Sequence, residues 1–144
     1  MASELSAGPI PPNRRADRIG RVLMALMGVT AALVFATSAL MLGDVPEDRF
    51  IVEGWRAFGF AVFAGIWLIL AAWPRRTPGL WELLIVHKSA LTVLAFVAWG
   101  APETQEVVFV DLALTVLTVL AYVLCRGWQA WYGITLKKTP GPRQ

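Results

Sequence analysis

VLMALMGVTAALVFATSALML, residues 22–42, contains no charged side chain. A helix rises 1.5 Å per residue, so a run of roughly 20 residues matches the ~30 Å hydrocarbon core of a bilayer. The run is longer than the apolar core of a secretory signal, about 7–15 residues, and it reads as a retained span despite the small residues at 36–39. Three more apolar runs follow, at 55–73, 80–97 and 107–124. With no water in the hydrocarbon, each run must pair its own backbone groups, which makes it a helix. The expected fold is all-α: a four-helix transmembrane bundle, antiparallel and up-down.

Composition agrees. Hydrophobic residues make up 57% and charged residues 16% of the 144, against roughly 45–50% and 25% in soluble domains. A chain this short cannot enclose that apolar excess in a core of its own. The formal charge of +3 does not indicate nucleic acid, since no basic stretch is interleaved with aromatics as a base-stacking platform requires.

The charges set an orientation. Of the 13 Lys and Arg residues, only Arg49, Arg56 and Lys88 lie outside the N-terminal stretch, the link at 74–78 and the C-terminal stretch. The basic positions are Arg14, Arg15, Arg18 and Arg21, then Arg75 and Arg76, then Arg126, Lys137, Lys138 and Arg143. The positive-inside rule puts both termini in the cytoplasm of a multi-pass cell-membrane protein. The loops at 43–54 and 100–106 then face outward, with Glu103 and Glu106 in the second. Trp55 and Trp99 fall at the outer ends of the runs, and Trp73, Trp81, Trp128 and Trp131 at the inner ends, as two interfacial aromatic belts require. The expected organisation is a flexible basic tail at 1–21, a membrane domain at 22–125, and an interfacial segment with a cytoplasmic tail at 126–144. The link Pro74-Arg75-Arg76-Thr77-Pro78 makes a tight hairpin. Gly28, Ala32 and Ala36, and likewise Ala57, Ala61 and Gly65, recur every four residues and read as close-packing faces.

Ionisable residues inside the spans are the natural functional candidates. Lys88 lies near the middle of the third run and Asp111 near the outer end of the fourth, about 9 Å apart in depth on the helical rise. Asp111, Thr115, Thr118, Tyr122 and Cys125 share one stripe of the fourth helix, and Arg56, Phe60, Phe63 and Trp67 share one of the second. With His87 and Thr92 they outline a polar and aromatic pocket between the helices. The alternative is a structural Lys88–Asp111 pair, with the threonines bonding to their own backbone carbonyls. Glu82, in the first turn of the third helix, suits the positive end of the helix dipole and calls for no function. The single His excludes a haem held by two histidines of one chain. One His and one Cys at opposite depths do not make a zinc site, and no metal or other cofactor is assigned. Gly-rich phosphate loops and nucleophile elbows are absent from the sequence, and no catalytic residue is assigned.

The stretch Glu53-Gly54-Trp55-Arg56-Ala57-Phe58-Gly59, followed by Ala64-Gly65, and then Trp81 with His87-Lys88, resembles the DoxX-like small bacterial membrane proteins, including the BphX-like branch. The resemblance covers about residues 22–122. It implies a four-helix membrane protein of the bacterial inner membrane, with an accessory role beside redox complexes in some members. Glu53, Arg56 and Gly59 are the matching positions, and no catalytic role passes to them. Whether the chain is an enzyme stays open, with a non-catalytic accessory or apolar-ligand-binding protein favoured. The alternatives are a small transporter and an isomerase using Asp111 and His87 as acid and base. The first run lacks the deep carboxylate that small multidrug exporters use. The bilayer is the expected surrounding, and a membrane-protein partner or a second copy the candidate protein contacts.

Overall fold

The computed structural model describes residues 13–102 and 104–132. The expected N-terminal tail at 1–12, Glu103, and the segment from 133 onward with Lys137, Lys138 and Arg143 lie outside the described residues.

Four helices carry the fold: α1 (Arg14–Leu40), α2 (Phe50–Ala72), α3 (Leu80–Val97) and α4 (Thr104–Cys125). Each is long and apolar enough to cross a membrane, which makes this a multi-pass membrane protein. Short 3-10 turns at Leu42–Asp44 and Gly127–Trp131 follow α1 and α4. All four helices show apolar side chains to the outside: Leu33, Phe58, Val62, Val86, Phe96 and Phe109 are each more than 60% exposed. An apolar exterior of this extent calls for lipid rather than water around it.

Hydropathy marks only the greasy part of each helix, and the helices run further. α1 begins at Arg14 rather than at 22, so residues 14–21, expected in a flexible tail, are helical. Its start is set by Asn13, whose side-chain oxygen accepts the Arg15 N–H at 2.9 Å, an ordinary N-cap. α2 begins at Phe50 rather than at 55, so part of the expected loop at 43–54 is helix. There Arg49 and Glu53 pair at 2.7 Å, one turn apart. α4 begins at Thr104 rather than at 107, whereas α3 starts and ends where its apolar run does.

One end of the bundle gathers the first turns of α1, the last turn of α2, the start of α3 and the end of α4; it is called here the terminal end. A helix leaves its last carbonyls without intrahelical donors, and arginines supply them. Arg21 Nη1 donates to the carbonyls of Ala71 at 3.1 Å and Ala72 at 2.9 Å. Arg75 Nη1 donates to the carbonyl of Cys125 at 2.9 Å. Asp17 lies between them, accepting from Arg21 Nε at 2.9 Å and pairing closely with Arg75. The carboxylate thus ties α1 to the link after α2, and through Arg75 to the end of α4, from within the stretch expected to be a flexible tail.

The buried core lies in the same half: Met24, Met27 and Ala31 of α1, Ala64, Trp67 and Leu70 of α2, Trp81 and Leu84 of α3, and Ala121 and Cys125 of α4. Helix α1 packs chiefly on α2 and also on α4, α3 packs chiefly on α4, and α2 and α3 barely meet. The small-residue faces divide. Gly28 is buried, and a Cβ there would come within 2.8 Å of Leu68 and 3.2 Å of the Ala64 carbonyl, whereas a Cβ on Gly65 would meet nothing within 4 Å. Gly28 thus sets the approach of α1 to α2, and Gly65 does not.

A Gly28→Ala variant should therefore unfold more readily in detergent, by about 1–3 kcal/mol for overpacking. Gly65→Ala should unfold at least as late as the parent chain, because alanine favours helix over glycine. Equal midpoints for the two variants in a denaturant titration would mean that the α1–α2 approach is looser than described.

Candidate functional site

Away from the terminal end, the bundle is organised around a buried ion pair. Lys88 Nζ of α3 donates to Asp111 Oδ1 of α4 at 2.7 Å, and the two side chains are 7% and 9% exposed. The difference in depth read from the sequence is closed by the length of the lysine side chain. The ammonium also lies 4.6 Å from the centre of the Phe63 ring and 5.8 Å from that of Trp67. Aromatic faces attract a cation, more so when it is removed from water. Lys88 is thus held by one carboxylate and two rings, and each group comes from a different helix from its own.

Beside the pair is a partly open cavity of about 430 Å³. Its walls are Arg56, Gly59, Phe60 and Phe63 of α2, Lys88 and Leu91 of α3, and Glu106, Val107, Val110, Asp111 and Leu114 of α4. It occupies the position where α2 and α3 scarcely touch. A second hollow of about 330 Å³, against α1, shares Phe60, Phe63, Lys88, Val110 and Leu114 with the first. The two therefore share the lysine and both phenyl rings as walls.

Among the residues outlined from the sequence, Arg56, Phe60, Phe63, Lys88 and Asp111 line this cavity. Arg56 is partly exposed and sits 3.5 Å from Glu53, one turn away on α2. Thr92 and Thr115 donate their hydroxyls to the carbonyls of Lys88 at 2.9 Å and Asp111 at 2.7 Å. They therefore serve the backbone on either side of the pair. Thr118 is fully buried and accepts from Trp67 Nε1 at 3.5 Å. His87 is exposed at the helix surface and packs its ring on Phe63 with centroids 4.5 Å apart.

Tyr122 belongs elsewhere, at the terminal end. Its hydroxyl donates to Glu82 Oε1 at 3.0 Å, and Trp131 Nε1 donates to the same oxygen at 3.0 Å. Glu82 is therefore more than a charge at a helix start: it fixes the turn after α4 against the start of α3. Trp81 completes this corner, donating from Nε1 to the Pro74 carbonyl at 2.8 Å. Leu91, Val107, Val110 and Leu114 were not singled out from the sequence, and Glu106, expected in the outer loop, lies in the first turn of α4. The spacing of Val107, Val110, Asp111 and Leu114, three, one and three residues, places them on the Asp111 face and was the available signal. Among the described residues no three His, Cys, Asp or Glu side chains gather as a metal-ligand set.

Compared with family models, curated proteins and solved structures, the chain matches none of them.

Removing one member of a buried pair strands the other, at a cost of about 3–5 kcal/mol, whereas replacing both with apolar groups is often close to neutral. Lys88→Met should therefore destabilise the protein by that order in a detergent unfolding titration. Adding Asp111→Leu to it should recover most of the loss. A double variant no more stable than Lys88→Met would show that the pair is not the unit that matters.

Proposed function

We propose that the chain is a non-catalytic binding or accessory protein of the cell membrane, and that its cavity takes up an apolar molecule from the bilayer. The observation that carries this reading is the cavity itself. It lies between helices, has largely apolar walls, falls within the ~300–1,000 Å³ of small-molecule sites, and has a few convergent polar groups. The weak α2–α3 seam gives a lateral route from lipid. Phe60 and Phe63 offer ring faces, and Lys88 spends one N–H on Asp111, so a carbonyl-bearing ring compound such as a quinone suits the site. An isomerase would need His87 and Asp111 to face one substrate. Here Lys88 engages Asp111 while the His87 ring packs at a tilt against Phe63, which favours binding over turnover. The resemblance to DoxX-like proteins supports the same reading, since Arg56 and Gly59 are cavity residues and Glu53 pairs with Arg56. An accessory role implies a membrane-protein partner or a second copy.

The topology belongs to the same proposal: antiparallel spans, with both termini in the cytoplasm of a bacterial inner membrane. Basic residues at the terminal end support it. In a Cys125→Ala background, a cysteine replacing Asp48 should react with an impermeant maleimide on intact cells, and one replacing Thr77 should react only after permeabilisation. The reverse labelling would invert the topology.

Binding is tested by purification in mild detergent, solvent extraction and mass spectrometry of the extract. A stoichiometric apolar molecule is expected with the parent chain. It should fall at least tenfold in Gly59→Phe, where the open space at Gly59 lets the ring fill the cavity without striking the backbone. An empty parent protein, or a molecule held equally well by Gly59→Phe, would remove the cavity from the explanation.

A further inference from the structure

A third cavity, of about 330 Å³, lies at the terminal end and is lined by Arg21, Ala72, Trp73, Pro74, Arg75 and Arg76. It shares no residue with the cavity beside Lys88. We propose that it binds a phosphate group, presented by the headgroup of an anionic phospholipid.

The argument begins with charge. Three guanidiniums line the cavity, and among the described residues one carboxylate, Asp17, pairs with two of them, Arg21 and Arg75. Positive charge is left over. The carbonyls of Ala71 and Ala72, which would repel an anion, are already covered by Arg21.

Donors are also left over. Arg21 uses Nε and Nη1, and Arg75 uses Nη1. Among the described residues, Nη2 of each and Nε of Arg75 have no acceptor. Arg76 is exposed, and its side chain makes no hydrogen bond or ion pair among the described residues. Planar guanidinium groups suit phosphate oxygens, which they can bind through two parallel bonds.

Position favours a lipid as the bearer of the phosphate. The cavity sits where apolar spans end, beside Trp73, a residue 52% exposed. Exposed tryptophan at the end of a span marks the headgroup level. Basic pockets between transmembrane helices at that level are suited to acidic headgroups. A phosphodiester in the cavity would leave its acyl chains free to lie along the exposed flank of α2.

The test uses the full chain in mild detergent, with native mass spectrometry after addition of phosphatidylglycerol or phosphatidylcholine. Phosphatidylglycerol should be retained in preference. Arg76→Gln should lower that preference roughly fivefold, the effect of one surface arginine, while the unfolding midpoint stays put. Arg49→Gln removes equal charge at the other end and should leave the preference unchanged. Inorganic phosphate is titrated in parallel at constant ionic strength. Displacement of the lipid only at phosphate concentrations well above it assigns the site to the headgroup. Phosphate binding that Arg76→Gln abolishes, with no lipid preference, assigns it to free phosphate instead. No preference and no phosphate binding, or equal losses in Arg76→Gln and Arg49→Gln, would overturn the proposal.

Discussion

An ammonium in the middle of an apolar helix must find compensation from its neighbours, and this requirement governs the bundle. Left alone, a charge at mid-membrane depth costs ~2.5–3.5 kcal/mol on insertion scales. Lys88 meets the demand with Asp111 at 2.7 Å and with the rings of Phe63 and Trp67. The carboxylate lies on α4 and the rings on α2. One side chain therefore links three helices, two of which otherwise barely touch. The threonines one turn away from each partner turn their hydroxyls to the carbonyls of Lys88 and Asp111, so they add no unpaired polar group near the pair.

The terminal end meets the same constraint by other means. Helix ends expose carbonyls, and Arg21 and Arg75 reach across to those of α2 and α4, with Asp17 balancing their charge. Glu82 performs the complementary task, accepting from Tyr122 and Trp131. Long side chains close the seams between helices there, and the fully buried hydrophobes fill the space beneath them. Every helix is thus fastened at one end, and the remainder of the bundle can leave space unfilled.

Length and composition made the four spans legible, because the hydrocarbon thickness fixes how many apolar residues a helix must show. The same signal could not locate helix starts. Arg14 to Arg21 carry a side-chain cap and a one-turn ion pair, and Phe50 to Gly54 a one-turn ion pair, none of which hydropathy registers. Lys88 and Asp111 stood out because charge is rare in such runs, and their reach could be judged from the helical rise. Asp17 and Glu82 did not stand out. Both lie near helix starts, where a carboxylate has a sufficient local reason to be present. Their partners come from elements distant in sequence, Arg75 for the one and Tyr122 and Trp131 for the other. Stripes on α2 and α4 indicated which faces turn inward, but no periodicity indicates that α2 and α3 stand apart, and that separation makes the cavity.

The uneven packing bears on what the protein can do. A bundle tightly packed throughout would gain stability and lose the space beside Lys88, and proteins generally trade some stability for function where a site is needed. Here the trade is local. Trp81, Met24, Leu70 and Leu84 are all but inaccessible in the fastened half, whereas the cavity is walled by Gly59, Phe60, Phe63, Val110 and Leu114 in the other. Gly59 contributes by having no side chain, and Phe63 by facing the cavity and the ammonium together. A molecule entering there would exchange lipid contacts for aromatic and aliphatic ones, which is close to neutral between two apolar media. Its selectivity must then come from the polar groups on the wall. Lys88, already desolvated and held in place by Asp111, is the group best able to supply it, because a hydrogen bond made in a dry site needs no water to be removed first.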